Sequence, residues 1–304
     1  MSLEEPIFQP QGLLSTEILV DREAFDSQEP YDIILSVIDY VNWTFRTCKL
    51  VRGEFPLQAI QSYHADLYLS QVNNGGHRQF AKNTQLPDAT MADIELALNA
   101  MGADDFLANF RNFAALVKND PDLLRRMAER DFHKNKTPAL QTLEALDDRH
   151  FELNKSEKFI ALNEAWLRSL PNVKPVSDSD LSAEAAAIIA RNPLFDARTI
   201  RNSQLVEEQE AADPLYVAAK ALCTKAGLQF EGFTAGSLPD DNGSVFWGVR
   251  TSKGMRFALI NVSGSILYLD HERTKPVATI KPGDDDRPAP QSSIFGFLKR
   301  LFSR

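Results

Sequence analysis

Cysteine is scarce: Cys48 and Cys223 are the only two in 304 residues. They fall far apart in different predicted domains, so a secreted disulfide framework is not expected and reduced thiols in a cytosol are. No apolar run approaches the roughly 20 residues a spanning helix needs. The front of the chain lacks a basic region followed by an apolar core, which predicts no signal peptide. Cations are also rare there: the first 45 residues carry nine acids against one base, Arg22. The net charge is −9, with 43% hydrophobic and 25% charged residues, a globular rather than disordered composition. These features place the expectation on a cytoplasmic protein whose front half repels nucleic acid and attracts basic protein surfaces.

The motifs of common catalytic and metal sites are missing as well. The sequence has no Cys-x-x-Cys, His-Glu-x-x-His, Gly-x-Ser-x-Gly or phosphate-loop pattern. His64 and Asp66 stand two apart, where helical side chains diverge, and Asp147 and Asp148 are adjacent and diverge likewise. Gly283 to Asp286 lacks the spacing of a calcium loop. The reading is no metal, no cofactor and no enzyme.

What is present is helical period. Ile33, Ile34, Val37, Ile38, Val41 and Phe45 keep one apolar face from Pro30 onward. Further amphipathic units follow to residue 170, including one with Phe106, Phe110 and Phe113. Short connections favour antiparallel neighbours. The fold class is mainly α. Residues 1–29 read as an N-terminal arm, 30–170 as an all-α domain, and 171–213 as a linker with bridging helices. Residues 214–281 read as a small α+β module of one helix and a four-stranded antiparallel meander, at Val245–Thr251, Met255–Val262, Ile266–His271 and Val277–Ile280.

Residues 282–304 read as a tether and an amphipathic basic tail. Its apolar half is Ile294, Phe295, Phe297, Leu298, Leu301 and Phe302, and these are candidates for docking on the protein itself, a partner's groove or, weakly, a membrane.

The hub is the run from Gln71 to Asn83. Asn74-Gly75-Gly76 tolerates positive φ, so a helix can end there and the chain reverse. The amides of Gln71, Asn73, Asn74, Gln79 and Asn83, with Phe80, read as a structural keystone that staples two helices through groups left unpaired at helix ends.

This run, Gln71-Val72-Asn73-Asn74-Gly75-Gly76-His77-Arg78-Gln79-Phe80 with Asn83, resembles the signature of a bacterial family whose best-understood members are DNA-mimic proteins. Two echoes support the resemblance, Ala97 to Ala103 and Leu146-Asp147-Asp148-Arg149-His150-Phe151. Gln71 stands where Glu is common and His77 where a large aromatic is usual. The resemblance covers roughly residues 25 to 170. It implies an acidic regulator of transcription that often works as a dimer and occupies the DNA-binding surface of a basic protein.

Carboxylates on a rigid scaffold can stand in for phosphates facing Arg and Lys. The candidates are Glu17, Asp21, Glu23, Asp26, Glu29, Asp32 and Asp39, with Asp104 and Asp105 behind them. The expected partner is a basic DNA-binding protein or a toxin, a homodimer is among the expected assemblies, and direct nucleic-acid binding is not expected. An immunity protein that neutralises a toxin, a metal-independent enzyme using His77, Gln79 and Asn83, and a membrane-proximal adaptor are the alternatives.

Overall fold

The first buried stretch of the chain is a strand. Ile18, Leu19 and Val20 are all buried, and β1 (Ile18–Asp21) pairs in parallel with β2 (Val173–Val176), Ile18 opposite Val173 and Asp21 opposite Val176. The computed structural model describes residues 5–120, 122–127, 132–134, 136–236, 245–261 and 264–281. They form two compact units, divided between Thr199 and Ile200.

In the first unit α1 (Arg22–Asp26) follows β1, and α2 (Pro30–Arg46) buries Ile33, Ile34, Val37, Tyr40 and Val41. The 28-residue α3 (Leu57–Thr84) leads into α4 (Asp88–Ala100), α5 (Asp104–Asn119) and the short α6 (Leu123–Met127). Then come α7 (Pro138–Leu153), α8 (Lys158–Ser169), β2, α9 (Asp178–Arg191) and α10 (Phe195–Ala212), which crosses the division. Pro opens α2 and α7, where its missing N–H costs nothing, and Gly102 turns the chain after α4 at φ +64°.

The unit is helical, as the period predicts, with one exception. The four-residue strands β1 and β2 escape detection because Ile18 to Val20 are buried on both faces and so do not alternate. Residues read as arm and linker supply them, and α9 adds Ile188 to the same core.

A buried ion pair holds the arm in place. Arg198 on α10 is 1% exposed and Glu54 is fully buried; the guanidinium donates to Glu54 Oε2 at 2.6 Å and Oε1 at 2.9 Å. Arg198 also donates to the carbonyls of Ile7, Gln9 and Lys49, and Glu54 accepts from the amides of Gln11 and Val51. Burial raises the Glu54 pKa, but Arg198 and the two backbone donors outweigh it and hold the carboxyl below its usual range.

In the second unit α11 (Pro214–Lys225) precedes an antiparallel meander of β3 (Phe230–Gly236), β4 (Val245–Thr251), β5 (Gly254–Asn261), β6 (Gly264–Tyr268) and β7 (Pro276–Ile280), in that order. The sheet has five strands where the sequence predicts four. Gly232 and Gly236 interrupt the alternation of β3, and its pairing with β4 shifts register twice. Leu215, Ala219 and Leu222 of α11 cover Trp247, Val249, Ala258, Leu267 and Ile280.

Candidate functional site

The double glycine reverses α3. In a straight helix residues 71 and 83 would lie roughly 18 Å apart, yet Asn83 Nδ2 donates to Gln71 Oε1 at 2.6 Å. The rings of Tyr68 and Phe80, also twelve apart, pack edge to face at 5.2 Å. Gly75 has φ −167° and Gly76 has φ 71°, ψ −179°. The second combination is open essentially to glycine alone.

The expected staple is therefore present but narrower. Gln71 Oε1 accepts from both Gln79 Nε2, at 3.3 Å, and Asn83, and Phe80 is buried in the core. Asn73 and Asn74 are exposed at the bend.

A second brace, which the amide reading misses, lies beneath the bend. Asp147 of α7 reaches under Gly76 and takes the His77 amide at 2.7 Å and His77 Nδ1 at 2.6 Å through one oxygen. A Cβ on Gly76 would meet that carboxylate, with Asp147 Cγ only 2.7 Å away. On the other side of the imidazole, Nε2 meets the Tyr68 hydroxyl at 2.9 Å. Donation from Nδ1 to the Asp147 carboxylate goes with the tautomer in which Nε2 accepts from the Tyr68 hydroxyl. Burial and the Asp147 charge push the Tyr68 phenol far above its usual pKa.

His150 packs against Tyr68, His77 and Phe106, and neither of its ring nitrogens has a hydrogen-bond partner among the described residues. Burial, reinforced by His77 and opposed by Asp147, pushes its pKa down to about 4. The echo Leu146 to Phe151 is the sequence signal that could have found this pair of residues. Asp147 there is a half-buried tie to His77, whereas its neighbour Asp148 is an exposed helix-surface acid.

An Asp–His–Tyr chain can relay a proton; here Tyr68, His77 and His150 are fully buried, while the Asp147 side chain is 24% exposed. Its hydrogen bonds tie α7 to the bend in α3. His64 lies elsewhere, its Nδ1 at 2.9 Å from the fully buried Asp93, which Arg52 also grips with both terminal nitrogens. Among the described residues no group of three acids, histidines or cysteines is placed to hold a metal ion.

The acidic candidates divide. Glu17 is paired with Lys174 at 3.0 Å, and Asp105 with Arg149 at 3.1 Å and Lys158 at 3.9 Å. Asp21, Glu23, Asp26, Glu29, Asp32 and Asp39 make no ion pair among the described residues, and all but the half-buried Asp32 are exposed. They sit on consecutive elements tied to each other. Asp21 caps α1 by accepting from the Glu23 amide at 2.8 Å, and its own amide donates to Ser36 Oγ on α2 at 2.7 Å. Ser27 Oγ donates to Asp32 at 2.5 Å.

The nearby cations point elsewhere: Arg22 donates to the Pro175 carbonyl and Arg168 to those of Phe25 and Ser27. Asp104 is exposed at the start of α5. Tail candidates Ile294 to Phe302 lie outside the described residues.

No helix among the described residues is long and apolar enough to cross a membrane. Comparison with curated proteins and with solved structures yields no match. Residues 53–170, from the loop before α3 through α8, match the profile of the family described as DMP19-like protein. The acids from Asp21, at the end of β1, to Asp39, on α2, precede the matched segment. Residues 53–170 are thus similar to the DMP19-like protein family, a match that covers 118 of the chain's 304 residues.

Proposed function

We propose that the N-terminal unit is a non-enzymatic DNA mimic that occupies the DNA-binding surface of a basic protein, such as a transcription factor, in the cytoplasm. The observation that carries the reading is the run of six acids from Asp21 to Asp39, lacking ion pairs among the described residues and borne by elements packed on a buried core. Asp32 and Asp39 are seven residues apart on α2, roughly 10 Å along the axis. That is comparable with the ~12 Å over which phosphates face each other across a major groove. Rigid display matters because a carboxylate already held in place loses less entropy when it meets an arginine.

The buried state of His77, and the hydrogen bonds that consume Gln79 and Asn83, support a structural rather than catalytic role for the bend. A second copy of the chain is a compatible assembly partner.

The immobilised chain, exposed to native lysate at low salt, is expected to retain basic proteins that duplex DNA then elutes. A chain with Glu23→Gln, Asp26→Asn, Glu29→Gln and Asp39→Asn should lose them. Retention that duplex DNA cannot reverse, or that survives the four substitutions, defeats the reading.

A further inference from the structure

Among the described residues three carboxylates are buried: Glu54, Asp66 and Asp93. Two of them carry a cation. Arg198 grips Glu54 through two nitrogens, and Asp93 takes Arg52 and His64. Asp66, on the first half of α3 and only 8% exposed, has no cation among the described residues. Its Oδ2 accepts from the Tyr31 hydroxyl of α2 at 3.4 Å, long for an O–H···O bond, and Oδ1 has no partner among the described residues. Burial raises its pKa to about 6, so the group is still mostly ionised at pH 7. A carboxylate that gives up water without gaining a cation lowers stability, a cost that proteins carry at sites kept for function.

Tyr31 joins this carboxylate to the acidic surface. Tyr31, Leu35 and Asp39 stand four apart on one face of α2, and all three are exposed, Tyr31 by 39% and Leu35 by 45%. Asp32 lies next to Tyr31 in the first turn, and Glu29 is the exposed N-cap. None of these acids makes an ion pair among the described residues.

We propose that Asp66 and Tyr31 receive the guanidinium of an arginine from the basic partner, donating to the Asp66 carboxylate against the Tyr31 ring, a proposal that rests on the mimic reading for the partner's basic surface. Phosphate mimicry needs exposed charge; it does not need a ring, an exposed leucine or a carboxylate set below the surface. Charge complementarity selects a cation, and the tyrosine selects arginine. The guanidinium is planar, stacks on aromatic rings and sheds water more readily than an ammonium, and its methylene stem can lie along Leu35. Asp66 belongs to no group of three metal-binding side chains among the described residues. Tyrosine is also among the residues that dominate binding energy at protein interfaces.

The test is fluorescence anisotropy of the full chain with labelled octa-arginine and octalysine at pH 7 and low salt, where exposed charges are least screened. Octa-arginine should bind more tightly. Asp66→Asn should weaken octa-arginine roughly tenfold or more, as expected for lost hydrogen bonds to a charged group, and change octalysine far less. Tyr31→Ala should weaken octa-arginine about two- to fivefold. Asp66→Asn keeps the side chain's shape, and it decides alone if circular dichroism shows Tyr31→Ala misfolded.

Equal affinity for the two peptides, or an equal loss of both in Asp66→Asn, overturns the proposal. So does an arginine preference that neither substitution touches. The variant with Glu23→Gln, Asp26→Asn, Glu29→Gln and Asp39→Asn separates this failure from failure of the mimic reading. It should weaken both peptides alike and keep the arginine preference. An Asp66-dependent preference with no effect of the four substitutions upholds the arginine site and counts against the exposed acids. Loss of both peptides in that variant, with no arginine preference in the parent, does the reverse.

Discussion

Gly76→Ala measures how much of the N-terminal unit hangs on the bend in α3. Two costs add. An alanine at φ 71°, ψ −179° is strained by about 1–3 kcal/mol. Its Cβ would also run into the Asp147 carboxylate, with Cγ at 2.7 Å, so Asp147 must withdraw from the His77 amide and Nδ1. Losing hydrogen bonds to a charged group costs about 1.5–3 kcal/mol each, although the two share one oxygen and will not add fully.

The total is about 4–6 kcal/mol, against whole-domain stabilities of about 5–15 kcal/mol. Gly75→Ala is the internal control. Its φ of −167° is extended backbone, and the added Cβ meets the Gln79 side chain, with Cβ and Cδ both at 3.0 Å. That costs the Gln79–Gln71 bond, about 1 kcal/mol.

Urea unfolding followed by far-ultraviolet circular dichroism reads both. With a slope of about 2 kcal/mol/M, Gly76→Ala should lower the helical midpoint by roughly 2 M and Gly75→Ala by about 0.5 M. Equal effects at the two glycines, or a Gly76→Ala midpoint within about 0.5 M of the parent, would refute the reasoning.

Other consequences follow from the buried charges. Arg198→Ala strands the Glu54 carboxylate in the core and should cost about 3–5 kcal/mol, measured in the same urea assay. Asp66 is nearly buried, with the Tyr31 hydroxyl at 3.4 Å. Burial, only partly offset by that bond, raises its pKa to about 6. A raised carboxyl pKa means stability falls as pH rises from about 4 through 6. Asp66→Asn should therefore stabilise at pH 7 by up to about 3 kcal/mol, and the gain should vanish near pH 4. Destabilisation at both pH values would contradict this.

His150 acts with the opposite sign. Its depressed pKa gives stability that is present above about 6.5 and lost as pH falls toward 4. His150→Leu should blunt acid unfolding across that window, as read from urea midpoints at pH 7 and pH 5.

Local chemistry made much of this fold legible. The apolar face of α2, the phenylalanines of α5 and the reversal at Asn74-Gly75-Gly76 all follow from spacing and backbone freedom. β1 was not legible, because three consecutive buried residues carry no period, and β3 was masked by its glycines. The site shows the same division. Gln71, Gln79 and Asn83 sit close together in sequence and read as a staple. Asp147 lies 70 residues from His77, and only the tertiary fold decides that it points inward while Asp148 stays at the surface. Ion pairing was equally hidden: nothing local in Glu17 or Asp105 shows that Lys174 and Arg149 neutralise them, while Asp26 and Glu29 stay unpaired among the described residues.

The central claim is that carboxylates on α1 and α2 compete with phosphates for the same cations. A mobility-shift titration tests it most directly: a captured partner bound to its DNA, with the chain added at increasing concentration. The wild-type chain should release the DNA in proportion to the amount added, and the variant lacking the charges of Glu23, Asp26, Glu29 and Asp39 should leave the complex intact. Equal release by both proteins, or a ternary complex in which DNA and chain are bound together, would contradict it.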